Sequence, residues 1–202
     1  RHPIRTPRAT ARRARRRGDP VSAVDGCLLV LGVGVLLYAL LGGADFGAGF
    51  WDLTAGGAAR GERPRALIDR SIGPVWEANH VWLIFCVVVL WTAFPPAFSA
   101  AFSTLVIPLT LAALGIVLRG AGFAFRKVST SLGVRRVYGA IFAVASVLTP
   151  FFFGAALGGI ASGRVPPGNA AGDLWTSWFN PSGIAVGALA VAVCAYLAAV
   201  YL

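Results

Sequence analysis

Three acidic residues lie inside or beside long uncharged stretches of the chain, where an ionised side chain is costly. They are Asp45, Asp52 and Glu77. A carboxyl group at membrane depth indicates either a function, such as relaying protons or binding an ion, or a structural ion pair or helix cap. Both interpretations stay open for Asp45. The structural one is favoured for Asp52, which lies nearer to a polar loop.

Glu77 follows Pro74, a residue that suits the first turn of a helix. Glu77 then falls in that same turn, where the helix dipole stabilises a carboxylate. Trp76 and Trp82 suit the level of the lipid headgroups. Glu77 is therefore interpreted either as part of a well-formed helix start or as the entry point of a proton path.

Glu77 and His80 have the Glu-x-x-His spacing used by di-iron helix bundles. Such a site needs a second pair, and the only other histidine is His2. No metal site is therefore expected, although one axial histidine is enough to hold a haem, so that role for His80 stays open. The cysteines lie far apart without a CxxC motif, at positions Cys27, Cys86 and Cys194.

The elements that position these residues are predicted to be membrane-spanning helices. The 202 residues are 57% hydrophobic and only 13% charged, whereas soluble domains carry about 25% charged residues. The uncharged runs predict an all-α polytopic bundle of about five spans. We place Pro95 and Pro96 in the turn between the second and third spans, and the helix start of the fifth at Asn180 and Pro181. The predicted spans are approximately 26–45, 75–94, 98–120, 137–162 and 181–202.

The basic loops predict the topology. The loops after the first and third spans are rich in arginine, so the positive-inside rule makes both cytoplasmic and puts the residues before Gly26 outside. Eight of the 18 basic residues lie in the first 20 positions, which contradicts that rule, and the chain contains no Met. We therefore expect residues 1–22 to be a disordered or non-native arm ahead of a transmembrane domain at 23–202. The alternative is that the arm is a cytoplasmic tail and that the predicted topology is wrong. Nucleic-acid binding by this arm is not expected.

Several segments together resemble subunit II of cytochrome bd-type quinol oxidases in order and spacing. The most specific are residues 71–83 (SIGPVWEANHVWL) and 118–126 (LRGAGFAFR). Residues 43–49 (GADFGAG), Phe94-Pro95 and residues 178–181 (WFNP) also fit. The resemblance covers roughly residues 24–202.

The resemblance implies a subunit of a respiratory enzyme in the bacterial cell membrane, crossing it several times. Such oxidases take electrons from quinol and reduce O₂ to water. The haems of b and d type and the quinol site belong to the partner, subunit I, so no cofactor is expected on this chain. Subunit II is expected to support that partner in a heterodimer within the lipid bilayer and to contribute to proton and oxygen access.

The resemblance also suggests roles for individual residues. Glu77 and Asp45 match acidic positions of the family and become candidates for a proton path. Trp82 matches a tryptophan near an oxygen route. The resemblance also argues against the hypothesis that His80 is a haem ligand. The candidates for an oxygen path or a subunit interface are Trp82, Trp76, His80, Asn79 and Arg119.

Two departures from the family pattern affect these expectations. Gly42 stands where many members have an Asp, which puts a relay through two carboxylates in doubt. The family has about eight or nine spans, so we expect this chain to be a truncated form.

Two alternative functions stay open beside the oxidase subunit. They are a small secondary transporter or channel with Asp45 and Glu77 as ion sites, and a membrane scaffold without redox or transport activity.

Overall fold

The computed structural model of the protein describes residues 22–72 and 76–202, and the regular secondary structure of these residues is entirely helical, without any strand. Five helical segments are long and apolar enough to cross a membrane. The predicted all-α polytopic bundle with five spans is thereby confirmed. The predicted arm lies outside the described residues except for Ser22. The helices are α1 (Ala23–Leu37), α2 (Gly43–Thr54), α3 (Ala58–Ile72), α4 (Trp76–Ala93), α5 (Pro95–Thr104), α6 (Val106–Val128), α7 (Leu132–Ala161) and α8 (Pro181–Tyr201).

The first span begins earlier and ends later than its predicted limits of 26 and 45. Ser22 and Asp25 form a reciprocal capping box that starts α1 at Ala23. A π-helical segment, Tyr38–Gly42, joins α1 to α2 without a break, so the helical stretch runs to Thr54. Asp45 therefore lies within this span and not at its end.

The connection between the second and third spans differs from the prediction. Pro95 and Pro96 do not form a turn but occupy the first positions of α5, after the single non-helical residue Phe94. The predicted third span started at residue 98, whereas the chain bends at Leu105 and the spanning helix α6 begins at Val106. Pro108, which has no N–H to donate to the carbonyl group of residue 104, accounts for a break at this place.

The last two spans are joined by a loop at 162–180, which is largely exposed but buries Ser177, Trp178 and Asn180. Helix α7 begins at Leu132, five residues before its predicted start, and includes Arg135 and Arg136 in its first turns. Helix α8 begins as predicted: the Asn180 side chain accepts a hydrogen bond from the Gly183 N–H, and Pro181 is the first helical residue.

The centre of the bundle is formed by α7, which packs against α2, α6 and α8. Glycines allow these close approaches: a Cβ on Gly154 would lie 2.7 Å from the Val186 carbonyl oxygen of α8. Helix α1 packs against α4, where Gly34 faces Phe85. Helix α3 covers one end of α2, near the start of α4.

Candidate functional site

Asp45 and Arg119 form a buried ion pair at the centre of the bundle. The Arg119 guanidinium donates to both carboxylate oxygens of Asp45, from Nη2 to Oδ1 at 2.5 Å and from Nη1 to Oδ2 at 3.1 Å. Nη2 also donates to the Asp45 carbonyl oxygen at 3.0 Å. Arg119 is 1% exposed and Asp45 4% exposed, so neither charge reaches solvent or lipid within this chain.

The Nε of Arg119 also has a hydrogen-bond partner. Its Nε donates to the Ser146 hydroxyl of α7 at 2.9 Å, and that hydroxyl donates to the Phe142 carbonyl oxygen at 2.7 Å. The rings of Phe46 and Phe142 lie 5.0 and 5.2 Å from the guanidinium carbon, which adds cation–π attraction. Because four of the five N–H groups of Arg119 are hydrogen-bonded and aromatic rings cover the guanidinium, the pair can persist at membrane depth.

Gly49 makes this geometry possible. A Cβ at this position would lie 2.1 Å from the Ser146 Cβ, so only glycine lets α2 approach α7 here. Gly122 plays the same part between α6 and α7, where a Cβ would come within 2.8 Å of the Tyr138 carbonyl oxygen. Close contact of the three helices thus places Asp45, Arg119 and Ser146 within hydrogen-bond distance.

A second set of ion pairs lies further along the same helices. Asp52, 3% exposed, accepts from Arg65 Nε at 2.7 Å and from the Arg126 guanidinium. Arg126 also donates to Asp69 of α3. This network ties α3 to α2 and α6, so the structural interpretation of Asp52 fits its surroundings.

The sequence analysis missed this network and the partner of Asp45. A signal was present: Asp45 and Asp52 are seven residues apart, and so are Arg119 and Arg126. Residues seven apart lie on the same face of a helix. Two acids on one face and two bases with the same spacing on another helix indicate matched ion pairs.

Glu77, unlike the buried Asp45 and Asp52, lies on the surface. It is exposed in the first turn of α4, as predicted for a helix start. Within residues 22–72 and 76–202 it takes part in none of the four salt bridges. Pro74, whose predicted role was to begin this helix, falls outside the described residues.

Asn79 and His80 follow Glu77 on α4 and contact the helical stretch that carries Asp45. Asn79 is buried and donates from Nδ2 to the Leu41 carbonyl oxygen of the π-helical segment at 3.3 Å. The His80 ring makes an edge contact with Phe46, the residue after Asp45, with ring centroids 6.1 Å apart. The structure therefore brings Asn79 and His80 close to the segment that carries Asp45.

The surroundings of His80 do not fit a haem ligand. Its Nδ1 lies 2.8 Å from the Trp76 carbonyl oxygen, and because that oxygen only accepts, Nδ1 carries the proton. The other nitrogen, Nε2, is buried without a hydrogen-bond partner in the described part of the chain. Because Nε2 is buried within the described part of the chain, it has no open position for an iron. The ring makes edge contacts with Trp76 and Phe46. The described residues also contain no group of three potential metal-ligating side chains.

The remaining predicted residues lie in different surroundings. Trp76 is half-buried and packs on Phe123 of α6, with ring centroids 5.8 Å apart. Trp82 is half-buried and contacts Phe85 on its own helix. Arg119 is enclosed within the bundle, so its position does not favour the predicted alternative of a subunit interface.

Comparison with known proteins agrees with the resemblance noted in the sequence. Residues 26–202 match the family described as cytochrome bd terminal oxidase subunit II. The chain is 29% identical over 135 residues to cytochrome bd-I ubiquinol oxidase subunit 2 of Escherichia coli (strain K12), covering 67% of this chain and 35% of that protein. It is 32% identical over 117 residues to cytochrome bd ubiquinol oxidase subunit 2 of Bacillus subtilis (strain 168), covering 58% and 34%. The matched segments thus span about a third of the length of these relatives.

Proposed function

Because the chain belongs to the cytochrome bd terminal oxidase subunit II family, we propose that it serves as the non-haem subunit of a membrane quinol:O₂ oxidoreductase. The match over residues 26–202 is the observation that carries this proposal. The chain is a multi-pass protein of the bacterial cell membrane. It would act in aerobic respiration as a heterodimer with the haem-bearing subunit I, with haems b and d and the quinol site in that partner.

The packed surroundings of His80 support the assignment of the haems to the partner. An axial ligand needs a ring nitrogen that faces an open coordination position, and His80 Nε2 is buried within the described part of the chain. When bound in subunit I, the haems would supply the electron transfer and oxygen chemistry. The residues of this chain would support the partner and give protons and oxygen access to it.

For proton access we propose a route that begins at Glu77 and leads towards Asp45. Glu77 is exposed at the end of α4 near the basic loops, where it can exchange protons with water. Asn79 and His80 follow on the same helix and contact the segment around Asp45. Both carboxylate oxygens of Asp45 are bound by Arg119, so we place the Asp45–Arg119 pair at the inner end of this route.

For oxygen access we propose the surface around Trp76 and Trp82. Both rings are half-buried on α4, the spanning helix with the smallest buried share of its apolar window. A helix that is little covered by its own chain leaves room for a partner or for a small apolar molecule along its side. The transporter alternative is less well supported, because Arg119 already neutralises Asp45 and no substrate cation is needed there.

The assignment is tested by expressing the full-length protein with its subunit I and purifying it through a tag on this chain. We expect b- and d-type haem bands in the reduced-minus-oxidised optical spectrum. These bands should persist in His80→Ala and in the matched His80→Gln variant. A stable tagged protein without haem would overturn the oxidase assignment and favour a transporter. Loss of one haem in both variants would make His80 a ligand.

A further inference from the structure

Helix α3 carries a stripe of basic side chains on its outward face. At 100° per residue, Arg60, Arg63, Leu67 and Arg70 fall within an arc of about 80°. All four are exposed, Leu67 by 48%. We call these four residues the α3 stripe.

The opposite face of α3 attaches the helix to the bundle. Ile68 is 1% exposed and packs against Ala48 and Ala198. Arg65, on the same side, is neutralised by Asp52. One face of α3 therefore packs against the helix bundle, and the α3 stripe lies on the face directed away from the bundle.

No acidic side chain of α3 lies within the α3 stripe. Glu62 and Asp69, the acids of this helix, lie about 80° or more away from the stripe around the helix axis. Asp69 is already bound to Arg126. In the part of the chain that the structure describes, none of the stripe arginines forms a salt bridge. Their charge is available to an external anion.

The position of α3 at the membrane edge determines which anion it meets. The helix connects α2, which ends at Thr54, to α4, which begins at Trp76, and both belong to candidate membrane spans. Helices that lie at this level place apolar side chains among the acyl chains and basic ones at the headgroups. An exposed leucine flanked by three arginines fits that arrangement.

We infer that the α3 stripe binds the phosphate groups of anionic phospholipids, with Leu67 inserted at the acyl boundary. Arginine binds phosphate oxygens through two parallel N–H donors. In a zwitterionic headgroup, the positive charge next to the phosphate weakens this attraction. Arg135 and Arg136, exposed at the start of α7 on the same side, extend the positive surface. This inference does not depend on the redox role of the complex.

The experiment uses the full-length protein with its partner subunit, reconstituted in nanodiscs of phosphatidylcholine with a minor share of phosphatidylglycerol. Spin-labelled versions of the two lipids report which one occupies the protein boundary. We expect phosphatidylglycerol to be enriched about fivefold, the factor that one basic residue near an anionic surface contributes. The enrichment should fall when salt is raised from about 0.1 M to about 1 M, because screening shortens the reach of charge from about 10 Å to about 3 Å.

The variants locate the binding to α3. The triple variant Arg60→Gln/Arg63→Gln/Arg70→Gln should lose most of the enrichment. Arg164→Gln, which removes an exposed arginine from the loop between α7 and α8, should keep it. No enrichment in the unmodified protein would overturn the inference and leave an acidic protein surface as the occupant. Full enrichment in the triple variant would also overturn it, because the lipid would then bind elsewhere.

Discussion

Asp45 and Arg119 are 74 residues apart in the chain but meet inside the bundle through three hydrogen bonds, two of them to the carboxylate oxygens. Both side chains are almost completely buried. A buried ion pair contributes little net stability by itself, since both charges must leave water. Removing only one partner, however, leaves an uncompensated charge.

The first prediction therefore concerns this pair. Asp45→Leu or Arg119→Met alone should lower the free energy of unfolding by about 3–5 kcal/mol. The double variant should recover most of that loss, because no buried charge then remains. Chemical denaturation of the purified complex measures both effects. A double variant as unstable as the sum of the single ones would contradict the prediction.

The same double variant separates structure from function. If the Asp45 charge assists proton delivery, the stabilised double variant should still consume oxygen slowly. Normal turnover in a stable double variant would remove Asp45 from the proposed route.

The second prediction concerns Glu77. Because this side chain is exposed, Glu77→Gln should leave stability and haem content unchanged. Oxygen consumption should fall about tenfold, since a proton-exchanging group would be missing at the entry. Glu62→Gln removes another exposed carboxylate, on α3, and serves as the control. Equal activity of the two variants would argue against Glu77 as the proton entry.

The third prediction concerns Gly49. Gly49→Ala places a methyl group where the Ser146 side chain lies, so α2 and α7 must separate or Ser146 must move. We expect a loss of about 1–3 kcal/mol in the free energy of unfolding, typical of overpacking. Gly32→Ala is the matched control, because a Cβ there meets nothing within 4 Å. Comparable losses in both variants would point to a general effect of alanine and not to the α2–α7 contact.

The fourth prediction concerns Asp173 in the loop before α8. The Thr176 and Trp175 backbone N–H groups and the Thr176 hydroxyl donate to its carboxylate, which lowers the pKa of Asp173 below its usual value. A lowered pKa in the folded state stabilises the loop above the unfolded pKa, and this contribution disappears as the pH falls through the folded value.

Asp173→Asn should accordingly lower the thermal midpoint at neutral pH. The difference from the unmodified protein should shrink as the pH falls from about 5 to about 2. Thermal unfolding of both proteins at several pH values in this range measures the difference in thermal midpoint. A difference that stays constant with pH would mean that the charge of Asp173 is not its source.

The number and approximate places of the spans could be predicted from uncharged runs, but their ends could not. The first span was cut at residue 45 because Asp45 counts as a charge, although Arg119 neutralises it in the fold. Similarly, α6 continues to Val128 past Arg119 and Arg126, whose partners lie on other helices. Pairing between distant residues decides where a helix stays inside the bundle, and hydropathy along the chain does not contain that information.

The candidate site was predictable only in part. Glu77, Asp45, Asn79 and His80 were recognised by residue type and by the family resemblance. The hydrogen-bonded serine was not, because Ser146 lies in an apolar run where serine is common as a packing residue. The π-helical segment that offers the Leu41 carbonyl oxygen to Asn79 has no marker in the sequence either.

The equal spacing of the two ion pairs has a consequence for how the helices assemble. Asp45 and Asp52 are as far apart along α2 as Arg119 and Arg126 are along α6, about 10.5 Å in each case. Both pairs can form together only at one relative height of the two helices. An axial shift of one turn, about 5.4 Å, would break both ion pairs. A shift of two turns would leave one arginine without its partner. Apolar contacts alone discriminate little between such axial positions of two helices in lipid. The two ion pairs together therefore fix the depth of α2 relative to α6.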